Sequence, residues 1–426
     1  MRYRLGTIAF GLLLSIYVCS AFGAPSKYRW RKPQITLSVS TSVISNSSNI
    51  AAGSDVLGAV DRSIATWQQA AAVSLRRVLS NEQNVSANGG QGDGVSLLTI
   101  AGSQENTALF PRGLDDATAR TRIFYDGQGF ITEADIVLNP FVQFSTDGTP
   151  GTYDLESTLT HEIGHLLGLS HSPVIGATMS DGYGKNGVYS LSAFSARTLA
   201  ADDIASLRSV YGVADDSDEC CGRISGKLNL ALNRVRGLEV WAEDAESGRV
   251  LAAAPVSVDG SFKIGGLTPG KLHLYLQSDA DIHSSASDLG EFNVTTKQPA
   301  VVVKHIDRIS TNIRFDYLGF NGQFAGMAVP VNSGSSYFLL AGTTELSSYG
   351  VTVESTSDLI SVQSRPITGS YSKDIKTFGF EAAISPDALP GEYSIALRSP
   401  TGDRRFLIGA LTVEKFPNFW SIAASK

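Results

Sequence analysis

Three of the chain's six histidines fall in the segment His161-Glu162-Ile163-Gly164-His165-Leu166-Leu167-Gly168-Leu169-Ser170-His171. His161 and His165 stand four apart, so on a helix of 3.6 residues per turn they share a face and can both reach one ion at about 2.0–2.1 Å. A continuous helix would carry the Cα of His171 about 15 Å along the axis from His161, too far to share that ion. The chain must therefore bend. Gly168 sits where the bend is needed, because glycine takes a left-handed conformation at a helix C-terminus that other residues resist. The loop then returns His171 as third ligand. Three neutral imidazoles leave the fourth position of a tetrahedral zinc open to water, whose pKa falls towards 7 on the metal. Glu162 is expected to take that water's proton as it attacks a carbonyl, then to pass the proton to the leaving amine. The expected site is thus a catalytic Zn2+ on His161, His165 and His171, with Glu162 as general base. A site of two histidines and a downstream glutamate is excluded, because no glutamate occurs between Glu162 and Glu219.

The motif needs a helix, and a second helix is expected to begin near Tyr153 and carry it. Upstream, residues 28–43 alternate apolar and polar positions through Ile35, Leu37 and Val39, as a strand with one buried face would. Over 55–79, apolar residues recur at three- and four-residue steps (Val56, Val60, Ile64, Trp67, Ala71, Leu75, Leu79), which predicts an amphipathic helix with Ser54 as N-cap. Short strands are expected at 95–100, 122–125 and 131–138. A third helix over about 200–211 carries Ile204, Leu207 and Val210 on one face and stops at Gly212. The acidic stretch that follows reads as a linker, and beyond it alternating segments at 238–242, 250–254 and 271–277 are separated by turns such as Asp259-Gly260. A further β-unit spans about 309–415. Its Pro390-Gly391-Glu392-Tyr393-Ser394-Ile395-Ala396-Leu397 echoes Pro269-Gly270-Lys271-Leu272-His273-Leu274-Tyr275-Leu276, as two related sandwich modules or convergent turn chemistry would.

At 426 residues, two or three domains are expected. The formal charge of −7 becomes more negative once Arg2 and Arg4 leave with the leader, which argues against nucleic acid as a partner. Residues 1–23 read as a cleavable signal: two arginines, an apolar run from Ile8 to Val18, then small residues. That run is shorter than the roughly 20 residues that span hydrocarbon, and Tyr17 and Val18 before Cys19 are poor for lipid attachment. The mature chain is therefore expected outside the cytoplasm, secreted, extracellular or periplasmic, without a membrane span. Cys220 and Cys221 are adjacent, and spacing alone leaves a vicinal disulfide, pairing with another chain or the reduced state open.

With Ala177-Thr178-Met179-Ser180 downstream, the extended histidine motif resembles the metzincins, whose signature includes a methionine turn. Within that clan the chain resembles the matrixins over about 28–213. The resemblance rests on Leu159-Thr160 before His161, Ser172 after His171, Gly129-Phe130-Ile131-Thr132-Glu133-Ala134-Asp135-Ile136-Val137-Leu138-Asn139, and the segment from Leu199-Ala200-Ala201-Asp202-Asp203 to Tyr211-Gly212. It implies a twisted sheet with few helices and a peptide or protein substrate laid along its edge strand. With the three helices and the β segments read above, the expected fold is multidomain: an α+β metzincin catalytic domain, a twisted mixed sheet plus three helices, followed by two all-β sandwich modules. The resemblance also implies Met179 as a packing floor beneath the metal, and Asp202 and Asp203 as ties from the last helix to the methionine turn or the chain's N-terminus. Acidic residues in a helix's first turn are the plainer reading of those two. The first β-module is loosely similar to carboxypeptidase-regulatory or transthyretin-like Ig-type domains. The expected layout is signal 1–23, catalytic domain 24–213, acidic linker 214–221, sandwiches 222–306 and 307–416, and a tail 417–426.

The chain departs from animal matrixins in two ways. Cys19 belongs to the signal, so a cysteine switch has no residue to use, and the catalytic region has no histidine beyond the three ligands, so one zinc is expected. Ca2+ is a second candidate ion, at Asp126, Asp135, Asp147 and Asp154 in Gly-rich turns and strand ends, against their ordinary reading as turn aspartates. His273, His283 and His305 lack ligand spacing. A secreted zinc metalloendopeptidase is the expected function. The alternative is an adhesin whose C-terminal β modules bind a cell surface or matrix ligand.

Overall fold

The computed structural model describes residues 28–32, 34–45, 47–87, 89–182, 184–214, 220–230, 237–278, 285–306, 313–343, 350–370 and 375–414. The expected signal, most of the acidic linker, the tail and His283 lie outside them. The first unit is built on β1 (Arg29–Trp30), β2 (Gln34–Ser40), β3 (Ser74–Ser80), β4 (Ser96–Thr99), β5 (Ala119–Tyr125) and β6 (Phe130–Leu138), in the order β3-β2-β4-β6 with β1 and β5 also paired to β6. Every pairing is parallel except that of β5, which runs antiparallel to β6 at the sheet's edge. Two short strands, β7 (Phe144–Ser145) and β8 (Tyr153–Asp154), pair beside the sheet.

Helix α1 (Val56–Gln68) and helix α2 (Leu155–Leu166) pack together against the sheet. In α1 the apolar stripe is buried as Val60, Ile64 and Trp67, and Asp55, not Ser54, caps it by accepting from the Gly58 amide at 3.0 Å. The expected helix over 55–79 is corrected at its far end: it stops at Gln68, and Leu75 and Leu79 lie on β3. Residues four apart share a face in a strand as well as in a helix, so Ala71, Leu75 and Leu79 fit both periods. Parallel pairing with β2 from Gln34↔Ser74 to Ser40↔Ser80 decides for the strand, and Leu79 is left 59% exposed. The expected single strand over 28–43 is likewise divided into β1, β2 and one helical turn, Thr41–Ile44. Helix α3 (Ala201–Tyr211) ends where Gly212 takes φ 77°.

Next come β9 (Gly222–Leu230), β10 (Leu238–Asp244), β11 (Val250–Pro255), β12 (Ser261–Leu267), β13 (Gly270–Ser278), β14 (Ser287–Val294) and β15 (Ala300–Ile306). They form two sheets, β11-β10-β13-β14 and β12-β9-β15, over a core that includes Ile224, Val240, Leu274 and Val302. The last unit holds β16 (Tyr317–Phe320), β17 (Gln323–Ala325), β18 (Val329–Val331), β19 (Ser336–Thr343), β20 (Thr352–Ser355), β21 (Ile360–Ser370), β22 (Lys376–Ile384), β23 (Gly391–Arg398) and β24 (Arg404–Val413). Its sheets run β17-β16-β19-β22-β21 and β18-β24-β23-β20. The two Pro-Gly echoes open β13 and β23, each an inner strand of a four-stranded sheet. Cys220 and Cys221 form a vicinal disulfide just before β9.

The three units share an apolar cluster. Val174, Ala177 and Ala200 from the first meet Trp241, Val250 and Tyr275 from the second and Ala396, Phe406 and Ile408 from the third. Among the described residues no helix is long and apolar enough to cross a membrane.

Candidate metal centre and active site

Helix α2 begins at Asp154, whose carboxylate accepts from the Ser157 amide at 2.8 Å and pairs with Arg197. Its C-terminal carbonyls are claimed from afar: Trp30 Nε1 donates to Leu166 O at 2.7 Å, and the Tyr211 hydroxyl donates to Leu167 O at 2.8 Å. The helix then stops, and Gly168 at φ 92° turns the chain back. The bend expected from the spacing is present at the expected residue.

That turn brings three imidazoles together. His161 Nε2 lies 3.0 Å from His165 Nε2, which lies 3.2 Å from His171 Nε2. These are close to the roughly 3.3 Å between two nitrogens that bind one zinc tetrahedrally at ~2.05 Å. Backbone carbonyls set two of the rings: His161 Nδ1 donates to Thr178 O at 2.7 Å and His165 Nδ1 to Leu169 O at 2.8 Å. With a proton on Nδ1, each Nε2 presents a lone pair to the common centre. Burial, with the neighbouring imidazoles adding to it at His161, pushes the pKa of His161 well down, and burial lowers His165 too. Burial, then His165, pushes His171 down to about 4. Neutral imidazoles with converging lone pairs fit a cation, and among the described residues this is the one group of three or more His, Cys, Asp or Glu side chains placed to hold a metal.

Glu162 is buried one residue along the same helix. Its Oε2 accepts from the Thr121 hydroxyl of β5 at 2.6 Å. Burial raises its pKa to about 7, against the smaller lowering effects of Thr121 and Arg120. Thr121 is a site residue that sequence reasoning missed: β5 meets α2 only through tertiary packing, and nothing in the spacing of 119–125 marks it.

The support residues occupy distinct places. Met179 is buried against Gly164 of α2, where an added Cβ would run into the Met179 sulfur and the Trp67 ring. Asp203 accepts from the amides of Thr178 at 2.8 Å, Met179 at 3.0 Å and Ala200 at 2.8 Å, which ties α3 to the methionine turn. Asp202 instead accepts from the Ser172 hydroxyl and from the Ala253 amide of β11, both at 2.6 Å, linking the loop after His171 to the first sandwich. Burial raises Asp202 to about 6 and Asp203 to about 7, with Asp202 adding to the latter.

The four aspartates read as calcium candidates are not brought together. Asp126 accepts from the Gln128 and Phe130 amides and pairs with Arg31, and Asp147 accepts from Thr149. Asp135 is buried and accepts from the Ser86 and Leu97 amides, while Asp154 is the helix cap. His273 pairs with Asp288 on the face of β13 and lies against Tyr275.

A helix-borne pair of histidines, a third returned by a glycine bend and an adjacent buried glutamate define a metallopeptidase site. Residues 29–212 match the family model described as Matrixin, a peptidase family. No curated protein matches the chain. Among solved structures, the chain is similar to BcpA, the major pilin subunit of Bacillus cereus, at 12% identity over 43% of this chain and 66% of that one, with a TM-score of 0.18. It is also similar to the C-terminal 282-residue fragment of intimin in complex with the intimin-binding domain of its translocated receptor, at 12% identity over 41% and 51%, with a TM-score of 0.15. The chain thus spans just under two thirds of the pilin subunit and about half of the intimin fragment.

Proposed function

We propose that the chain is a secreted, zinc-dependent endopeptidase that hydrolyses peptide bonds in proteins, with Glu162 as general base. The convergence of His161, His165 and His171 on one point beside buried Glu162 carries this reading. Zinc bound there would act as a Lewis acid that polarises the scissile carbonyl and acidifies water. Glu162 then accepts a proton from the attacking water and delivers it to the leaving amine. Burial opposes the charge on this carboxyl and so favours its holding the proton between the two halves of that transfer. The Thr121 hydroxyl holds one carboxylate oxygen in place. Strand β5, at the sheet edge and joined to the site through Thr121, offers backbone groups to an extended substrate strand. Export is inferred from the arginine-led apolar segment at 1–23.

Glu162→Gln is the decisive variant. It should lower peptide cleavage by at least about 10³-fold while bound zinc stays near one per chain, because the amide fills the same space but cannot take the proton. Full cleavage by that variant would remove Glu162 from the mechanism.

A further inference from the structure

The segment between the methionine turn and α3 does not end on the catalytic unit. Tyr189 is buried in the core of the last sandwich, among Leu318, Val329 and Leu339. Its hydroxyl reaches the carbonyls of Leu318 at 2.9 Å, Ala325 at 3.2 Å and Met327 at 3.3 Å. Its amide donates to the Gln323 side chain, and its carbonyl accepts from Asn321 Nδ2 at 2.8 Å. Tyr189 and Ser190 also hold φ of 57° and 60°, a left-handed conformation that side chains other than glycine adopt only when their surroundings impose it. Here the imposing surroundings are strands β16 and β17 and the segment after them.

Beside this fastening lies a cavity lined by Thr158, Thr178, Ser180, Ala193, Met327 and Ala328, among others. Thr158 stands one helical turn before His161, and the Thr178 carbonyl orients the His161 ring, so two of the cavity's lining residues adjoin a ligand of the metal centre. Met327 and Ala328 belong to the last sandwich. Met327 comes so close to the 180–194 segment that a Cβ on Gly184 would collide with its sulfur. The one charged lining residue, Asp154, is occupied as the α2 cap and the partner of Arg197. That leaves no charge to receive an ionic side chain.

We propose that the last β-sandwich is part of the substrate site. Met327 forms one wall of a pocket for an apolar substrate side chain flanking the scissile bond, and Tyr189 is the positioning residue that fastens the 184–193 segment to that sandwich. This rests on the endopeptidase reading above. It gives the C-terminal module a role in specificity, since part of the pocket comes from a chain segment more than a hundred residues beyond the histidines.

The test profiles the full, zinc-loaded chain on a peptide library. Wild type should favour aliphatic residues at one flanking position. Met327→Ala should raise kcat/KM for Phe- and Trp-sized residues there by about tenfold relative to Val or Leu, with zinc content and the other positions unchanged. For Tyr189→Ala, KM should rise more than kcat falls, and hydrogen exchange over 184–193 should speed up at least about tenfold while residues 155–166 stay protected. Tyr189→Phe should restore part of that protection. A wild type that cleaves no peptide overturns the endopeptidase reading and the pocket with it. An active wild type whose preferences ignore Met327 overturns the pocket alone, and unchanged exchange in Tyr189→Ala overturns the fastening.

Discussion

At the scale of single residues, the site places a carboxyl in an environment that opposes its charge and then supplies one hydroxyl to temper that opposition. Burial raises Glu162, and the Thr121 hydroxyl is the largest effect in the other direction. Removing the hydroxyl must therefore raise the carboxyl further. In Thr121→Val, a near-isosteric change, the acidic limb of the pH–rate profile should move to higher pH by about half a unit to one unit, because in the proposed reaction Glu162 must be ionised to accept the proton. At pH 7, kcat/KM should fall by about three- to tenfold with zinc retained. A profile that keeps its acidic limb in place would mean that the Thr121 hydroxyl positions the backbone of α2, where it also contacts Glu162 O at 3.3 Å, and does not tune the carboxyl.

At the scale of elements, the histidine helix and its bend were legible because their geometry is local: a four-residue spacing fixes a helix face, and a glycine fixes the stop. The end of α1 was not legible, since Ala71, Leu75 and Leu79 satisfy both periods and only pairing with β2 resolves them. Thr121 and the orienting carbonyls of Leu169 and Thr178 reach the site through tertiary packing, which sequence spacing does not encode. For Asp202 and Asp203, motif resemblance pointed to an anchoring role, and the structure divides that role between two different partners. Asp203 alone pins the methionine turn. Asp203→Ala leaves three amides without their acceptor, each costing about 1 kcal/mol or more when buried, so the variant should lose about 3 kcal/mol in urea unfolding. Because the Thr178 carbonyl that holds His161 moves with the turn, zinc affinity should fall about 10- to 100-fold in the same variant. An unchanged unfolding midpoint would mean that water replaces the carboxylate and that the turn holds itself.

At the scale of the whole molecule, the three units meet around buried acids as well as apolar side chains. Glu392 of β23 is buried beneath Gly176, behind the methionine turn. Burial raises its pKa to about 8, and the nearby Asp203 carboxylate adds to the rise, while Arg249 and the Ala201 amide pull the other way. A carboxyl raised from its usual 4.5 to about 8 binds its proton more tightly in the folded chain than in the unfolded one. Its contribution to stability is thus fully present below about pH 4.5, falls as pH climbs between the two values, and is lost above about 8. Asp202 and Asp203, raised in the same direction, steepen the decline up to about pH 7. Glu392→Gln carries a neutral amide at every pH and removes one of the three titrations. Its unfolding free energy should stay close to wild type at pH 5, then exceed it by a margin that grows towards pH 8 to on the order of 3 kcal/mol and levels off beyond. Calorimetry of both proteins from pH 5 to 9 measures that margin. A constant difference across the range would place an ionised Glu392 in the folded chain at all these pH values, with Arg249 outweighing burial.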